Sequence, residues 1–261
     1  MLRFASLASG SSGNCLVAQS LDLVGTTTVL IDCGLSLRDT ERRLARLGLA
    51  PSDINGVLVT HEHSDHAGCV ADFAAAHDVV VFLTHGTLRA LKAEGKFHDG
   101  VRTEFIRGEH KVAVGSMEVL PFTVPHDAAE PVQYVVSDGA ARLGVLTDIG
   151  ISTRHVEKTL SGLSALVLEC NYDRDMLWSG GYPRWLKERI GGPFGHLDNR
   201  ESGRLLGALD RSRLKHIIGA HLSQQNNKPD LARDALATAM NCSADWIGLA
   251  TQDDGFDWRE A

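Results

Sequence analysis

Short apolar runs, mostly β-branched, recur along this chain and stop at small, polar or charged residues. Runs of this length predict buried strands, which reach four to eight residues where helices need more. They fall at Leu2 to Ala8 (weakly alternating), Cys15 to Gln19, Thr26 to Asp32, Ile54 to Val59 and Val79 to Leu83. Between them Leu35 to Leu47 has helical spacing, with Arg38, Arg42, Arg43 and Arg46 on a solvated side. Alanine-rich Ala67 to Ala76 and then Thr84 to Glu94 predict two more helices, with Gly95 to Gly100 a loop. Strands are expected next at Thr103–Ile106, Glu118–Val124, Val132–Ser137 and Arg142–Thr147. The last third alternates: helix Ser152–Leu160, strand Leu163–Glu169, then a loop and helical stretch through Arg189 that Gly191 to Gly195 breaks. A helix from about Arg200 to Leu209 follows, with Asp198 or Asn199 as its N-cap. Strand His216–Ala220, helix Pro229–Met240, strand Trp246–Ala250 and a tail through Trp258 complete an α/β chain.

No linker or low-complexity segment divides the sequence, so residues 1–261 are expected to form one domain. Each half runs through several strands and then helices, a weak hint of duplication without a repeated residue pattern. A hydrophobic content of 43% and a charged fraction of 23% describe a globular protein with a sizeable core. No apolar stretch is long enough to span a bilayer, and no membrane partner is expected. Met1 to Ala5 is followed at once by Ser and Gly, so no signal peptide is expected. The five cysteines are scattered, odd in number and form no CxxC pair, which favours reduced thiols and a cytoplasmic location. The net charge of −7 supplies no global field for gripping a long polyanion, though a local basic patch remains open.

The chemistry gathers at Thr60-His61-Glu62-His63-Ser64-Asp65-His66-Ala67-Gly68, directly after the Ile54–Val59 strand. His61 and His63 are two apart, so an extended backbone points both to one side. Asp65 and His66 sit at the turn into the next helix and can point back to the same spot. Imidazole nitrogen and carboxylate oxygen suit zinc, and also iron or manganese. His126, Asp148 and His221 each follow an apolar run, where neighbouring strand ends converge. With the metal nucleus in place, His126 and Asp148 are expected as ligands, while His221 is noted as another histidine at a strand end. Asp32 is read as an acceptor that orients a metal-bound histidine, or as a turn cap. The loop Ser9-Gly10-Ser11-Ser12-Gly13-Asn14 exposes backbone N–H groups that could cradle a phosphate, or is simply a tight turn. His77, His85, His98, His110, His155 and His216 are read as ordinary surface or core histidines.

Taken in order, Asp32, the His61-x-His63-x-Asp65-His66 run, His126, Asp148 and His221 resemble the five motifs of the metallo-β-lactamase superfamily. The stretches from Ser9 to Asn14 and Thr60 to Gly68, with Gly195-His196-Leu197 and His221-Leu222-Ser223-x-x-Asn226-Asn227, resemble its YycJ (WalJ) subfamily. That resemblance implies an αββα sandwich of two mixed sheets flanked by helices, with two divalent metals at one edge. Zinc is the first expectation, manganese and iron the alternatives. It implies His61, His63, His126 and Asp148 on one ion and Asp65, His66, His221 and the bridging Asp148 on the other. Two ions about 3.5–4 Å apart could activate a bridging hydroxide and offset charge in an in-line transition state. Asp65 could also accept the proton of the water.

Glu169-Cys170-Asn171-Tyr172 and Gly195-His196 are similar to the glutamate and histidine that tRNase Z enzymes place near the scissile phosphate. By that analogy His196 contacts the phosphate and protonates or stabilises the leaving oxygen, while Glu169 orients it. The plainer reading has His196 capping its helix and Glu169 in a buried hydrogen bond. Asp198 stands where the pattern expects serine or threonine, adding negative charge near the phosphate pocket. Ser11, Asn14 and Asn171 join His196 as expected substrate contacts.

Only 73 residues separate Asp148 from His221, too few for the β-CASP insertion of RNase J-like nucleases. The expectation is therefore a compact dinuclear phosphodiesterase, a 5′-to-3′ DNA exonuclease by the subfamily resemblance, acting on DNA rather than RNA. The alternatives are a hydrolase of small cyclic or nucleotide phosphodiesters or (thio)esters, and a non-catalytic metal-binding regulator. A homodimer is in keeping with the superfamily. Arg184, Lys187 and Arg189 beside the glycine break are candidates for a basic lip that would favour nucleic acid over a small substrate.

Overall fold

The computed structural model describes residues 1–23 and 25–261. Among these described residues fourteen strands, β1 to β14, build two seven-stranded sheets. In chain order the first sheet uses β1 (Leu2–Ala8), β2 (Cys15–Leu21), β3 (Thr26–Ile31), β4 (Gly56–Leu58), β5 (Val80–Leu83) and β6 (Thr103–Phe105). The second uses β7 (Val112–Val114), β8 (Met117–Thr123), β9 (Val132–Ser137), β10 (Arg142–Leu146), β11 (Ala165–Glu169), β12 (His216–Ala220) and β13 (Gly248–Leu249). The last strand, β14 (Phe256–Glu260), returns to pair antiparallel with β1. The orders are β14-β1-β2-β3-β4-β5-β6 and β13-β12-β11-β10-β9-β8-β7.

Both sheets switch from antiparallel to parallel pairing partway across. The first switches at β3–β4 and the second at β10–β11. Each parallel step needs a crossover, and the helices supply it. Among these are α1 (Leu37–Arg46), α2 (Ser64–Ala67), α3 (Val70–His77) and α4 (His85–Ala93). Along the second half come α5 (Arg154–Thr159), α6 (Arg174–Ser179), α7 (Arg184–Ile190), α8 (Asn199–Ala208) and α9 (Pro229–Met240).

The strands read as nearly continuous apolar runs because both faces of each sheet are buried. Leu2 and Phe4 of β1 meet Tyr134, Val145 and Val167 in the core between the sheets. Ala5 and Leu7, on the opposite face of β1, pack under Leu44 of α1 and Phe73 of α3. In β11, Ala165 and Val167 face the inner core while Leu166 and Leu168 meet Leu205 of α8 and Leu236 of α9. The result is four layers, helix–sheet–sheet–helix, the expected αββα sandwich. Fully burying one such Leu or Val contributes about 1.5–3 kcal/mol.

The expected elements shift in places. The helix expected over Ala67–Ala76 is split, with α2 ending at Ala67 and α3 starting at Val70. The strand expected over Trp246–Ala250 shrinks to Gly248–Leu249, because residues 244–246 form a 3₁₀ turn. The tail through Trp258 is instead an edge strand, anchored by the Trp258 indole donating to the Leu47 carbonyl at 3.1 Å. The stretch before Arg189 is two helices, and Asp198 is the N-cap of α8, accepting from the N–H groups of Arg200 and Glu201.

Candidate metal centre

Chain ends of the parallel strands meet along one edge of the sandwich, the usual place for a site in sheets of this kind. Asp32 follows β3, His61 follows β4, Asp148 follows β10, Glu169 ends β11 and His221 follows β12. Asp32 and His221 both adopt left-handed backbone, with φ of 64° and 55°. Non-glycine residues rarely sit there, and such strain persists where the surroundings fix it. Gly34 is required by close approach: a Cβ on it would lie 1.8 Å from the Asp65 carbonyl. That contact seats the loop after β3 against the turn carrying Asp65 and His66, with the Cys33 N–H donating to the His66 carbonyl at 2.8 Å.

The hydrogen bonds fix the tautomers of the histidines. His126 Nδ1 faces the Gly195 carbonyl at 3.1 Å and His221 Nδ1 the Thr147 carbonyl at 2.9 Å, so both nitrogens carry the proton. His66 Nδ1 donates to Asp32 at 2.8 Å. The Thr60 hydroxyl donates to Asp32 at 2.9 Å and so accepts from His61 Nδ1 at 2.9 Å. In all four rings the outer nitrogen is spent and the Nε2 lone pair points inward. His63 enters from the cleft side, with Nδ1 3.0 Å from His61 Nε2 and 3.4 Å from His126 Nε2.

Two carboxylates join these lone pairs. Asp148 Oδ2 lies 3.1 Å from His66 Nε2, and Oδ1 lies 3.3 Å from His221 Nδ1 and 3.8 Å from His126 Nε2. Asp65 Oδ2 is 3.4 Å from both His66 Nε2 and His221 Nε2. Ligand atoms of His61, His63 and His126 come within 4.8 Å of one another, as do those of His61, His66 and Asp148, and of Asp65, His66 and His221. The Asn14 amide reaches His66 Nε2 at 3.1 Å and Asp65 Oδ2 at 3.4 Å, but one amide cannot serve so many crowded acceptors. Asp148 Oδ2 is buried without a hydrogen-bond donor, and cations between these groups would satisfy the set. The donor set therefore fits divalent metal.

The electrostatics carry the same message. Burial pushes the Asp65 and Asp148 carboxyls up, but the His66 and His221 imidazoles more than offset it and hold both well below the usual carboxylate range. In return burial lowers His221 and His66, while Asp148 and Asp65 more than reverse it, raising His66 and pushing His221 up to about 10. His61 goes the other way: burial, with His66 beside it, drives it down. Protons and metal ions thus compete for the same nitrogen lone pairs.

His196 stands beside this cluster. Its Nδ1 donates to Glu169 Oε1 at 2.6 Å, and the ring lines the cleft. Glu169 is fully buried, and its other oxygen accepts from the Ile149 and Leu197 N–H groups, each at 3.1 Å. Ser11 lines the same cleft. Asn14 and Asn171 are buried and turned into the protein. Asn14 bonds Gly10 and reaches Asp65, and Asn171 donates to the His221 carbonyl at 3.0 Å.

The cleft over the centre holds about 470 Å³ and is open to solvent. Leu186, Arg189 and Ile190 of α7 line it, as do Glu94 and Lys96. Arg189 is paired with Asp127 at 2.6 Å, Arg184 with Glu188 at 2.7 Å, and Lys187 is bound to the carbonyls of Trp178 and Gly180. The expected basic lip is therefore neutralised, and Lys96, which also lines the cleft, is paired with Glu94 at 2.6 Å. Two acids had no assigned part in the sequence reading. Asp127, next to His126, links Arg189 to the metal-facing histidines, and its adjacency was the available signal. Glu62 lines the cleft, accepting from the Ala129 N–H at 2.6 Å through one oxygen while the other is buried without a partner.

Comparison with known proteins places the chain in a class. The family model "Beta-lactamase superfamily domain" matches residues 27–217, and the chain belongs to that superfamily of metal-dependent hydrolases. It is 35% identical over 252 residues to exodeoxyribonuclease YycJ of Bacillus anthracis, covering 95% of this chain and 93% of the relative. It is 31% identical over 233 residues to exodeoxyribonuclease WalJ of Streptococcus pneumoniae serotype 2, covering 88% of this chain and 85% of the relative. Within the superfamily it belongs to this YycJ/WalJ family. Among solved structures, the metallo-β-lactamase fold protein YhfI of Bacillus subtilis superposes with a TM-score of 0.76 at 15% identity, covering the whole of both chains.

Proposed function

We propose that the chain is a dinuclear metal-dependent phosphodiesterase that removes nucleotides from DNA ends in the 5′-to-3′ direction. The observation that carries the reading is the inward convergence of four Nε2 lone pairs on two carboxylates, beside a histidine oriented for proton transfer. His61, His63, His126 and Asp148 would hold one ion, and Asp65, His66, His221 and Asp148 the other, zinc before manganese or iron. Bound divalent metal would lower the pKa of a coordinated water and offset the charge on a phosphoryl oxygen.

The residues divide the remaining work. Asp65 reaches the mouth of the centre, 23% exposed at its side chain, and takes the proton of the attacking water. Glu169 fixes the His196 ring so that its Nε2 faces the cleft, where it contacts the phosphate and gives a proton to the leaving oxygen. Ser11 offers its hydroxyl at the cleft. Asn14 and Asn171 serve the substrate through the positions of Asp65 and His221. The YycJ and WalJ relatives, which align over most of their length, are named exodeoxyribonucleases, and that supports DNA as the substrate. The five cysteines are all free, in keeping with a reducing cytoplasm.

The test is hydrolysis of end-labelled DNA by protein loaded with zinc or manganese, beside bis(p-nitrophenyl) phosphate. Stepwise digestion from the 5′ end that vanishes in Asp65→Ala supports the reading. Turnover of the small ester with DNA left intact replaces it with a small-substrate hydrolase.

A further inference from the structure

Among the described residues five large aromatics are exposed, and three of them fall in the stretch from α6 to His196, which carries one side of the cleft. Between residues 178 and 194 stand Trp178, Trp185 and Phe194, which are 47%, 64% and 59% exposed. Trp178 is a support: a Cβ on Gly191 would lie 3.6 Å from its ring, and its carbonyl holds Lys187, tying α6 to α7. Among the described residues the side chains of the other two make no hydrogen bond or ring contact. Trp185 does not line the cleft itself, but it lies four residues before Arg189 and next to Leu186, which do, so it flanks the cleft wall on α7. Phe194 precedes Gly195, whose carbonyl orients His126.

Phe194 also has a rigid mount. Its carbonyl accepts the Asp127 N–H at 3.0 Å, and a Cβ on Gly150 would lie 2.5 Å from its nitrogen. The backbone is thus pinned next to two candidate ligands, His126 and Asp148, while the ring projects into water. An exposed ring on fixed backbone is preorganised for stacking, because little motion is lost when a flat partner lands on it.

We propose that Trp185 and Phe194 form a stacking lip that holds the unpaired bases of a DNA end while a neighbouring phosphodiester enters the metal cleft. The proposal rests on the nuclease reading and specifies the substrate: an end with single-stranded character, bound without sequence preference. Every base offers a π-face to an aromatic ring, so such binding tolerates any sequence. The cations at the mouth are already paired, Lys96 with Glu94 and Arg189 with Asp127, each at 2.6 Å, so the hold on a DNA end has to come from stacking rather than from charge. A protein partner seated on these rings would cover the mouth of the active cleft, which disfavours that occupant.

The experiment compares Trp185→Ala, Phe194→Ala and the double variant with wild type, all metal-loaded and full length. Substrates are DNA with a single-stranded 5′ tail, the same DNA with an abasic tail, and bis(p-nitrophenyl) phosphate, which is too small to span the lip. Loss of one stacked base predicts a fall of about tenfold in kcat/KM for tailed DNA, taken relative to kcat/KM for the small ester on the same preparation. The fall should appear in KM, Trp185→Phe should restore most of it, and the abasic tail should erase the difference between wild type and variants. An unchanged ratio overturns the lip, as does a loss that persists on the abasic tail. A wild-type dimer that becomes monomeric in the double variant, by sedimentation, reassigns the rings to a protein interface. If wild type cuts no DNA with either metal, the nuclease reading itself fails, and the lip with it.

Discussion

Glu169 Oε1 accepts the Nδ1–H of His196 at 2.6 Å, while Glu169 Oε2 accepts two backbone N–H groups from the chain on either side of the site. One buried carboxylate therefore sets both the tautomer of His196 and the position of the Ile149 and Leu197 backbones. His196→Ala is expected to lower kcat on DNA by about 100-fold or more, the usual size of a general-acid contribution. On bis(p-nitrophenyl) phosphate the loss should be much smaller, because p-nitrophenolate leaves without a proton. Glu169→Gln should fall between, at about tenfold, since its amide satisfies only some of the three donors. Equal losses on the two substrates would remove His196 as the acid.

Asp148 touches four imidazoles, more than any other carboxylate in the site. Asp148→Ala is expected to lower bound metal from about two ions per chain to one or none. Asp32→Asn should act differently, because Asp32 bonds Thr60 and His66 and would reach a metal only through them. A weakening of metal affinity of about 10–100-fold fits that indirect position. Metal analysis after dialysis against graded chelator separates the two cases, and two ions retained by Asp148→Ala would take it out of the ligand set.

The sequence showed the edge of the sandwich better than its surroundings. His61, His63, Asp65 and His66 were legible because a β-branched strand ends directly before them, and the distant His126, Asp148 and His221 because each also follows an apolar run. The β14 strand was not legible: Phe256–Glu260 is short, charged and only half-buried, and its pairing with β1 depends on a partner at the opposite end of the chain. Val112–Val114 is similarly too short to show a period. The loop amides misled for another reason. Asn14 stands among glycines and serines as a ligand contact would, yet its side chain braces Gly10 against Asp65, a contact that bridges 51 residues. The same holds for Gly34, whose need is visible only once the Asp65 carbonyl is placed against it.

Metal should stabilise the protein more as pH rises. In metal-stripped protein Asp148 and Asp65 keep His66 and His221 protonated, His221 up to about 10. A histidine raised above its unfolded value of about 6.5 contributes stability in full below that value. The contribution is lost as pH climbs through the folded value, so stripped protein should lose Tm between about pH 6.5 and pH 10. Metal-loaded protein has those nitrogens committed and lacks this loss. The gap between the two Tm curves should therefore widen across that window. A constant gap would mean that metal does not displace the protons on these two rings.

The tightest backbone approach at the site makes the last prediction. Gly34→Ala places a methyl 1.8 Å from the Asp65 carbonyl, which is backbone on a turn held by Asn14 and Cys33 and cannot swing away. Overpacking of this kind costs about 1–3 kcal/mol where the surroundings yield, and more where they do not. The strain should reach Asp65 and His66 directly, so metal affinity should fall together with Tm. Gly207→Ala is the control, because Gly207 lies in α8 with nothing within 4 Å of its added Cβ. There alanine should stabilise by about 0.5–1 kcal/mol, through the better helix propensity and the less flexible unfolded chain. Thermal melts and metal titration of both variants decide the matter: a Gly34→Ala protein that melts and binds metal like wild type would show that the loop after β3 does not hold the ligand turn in place.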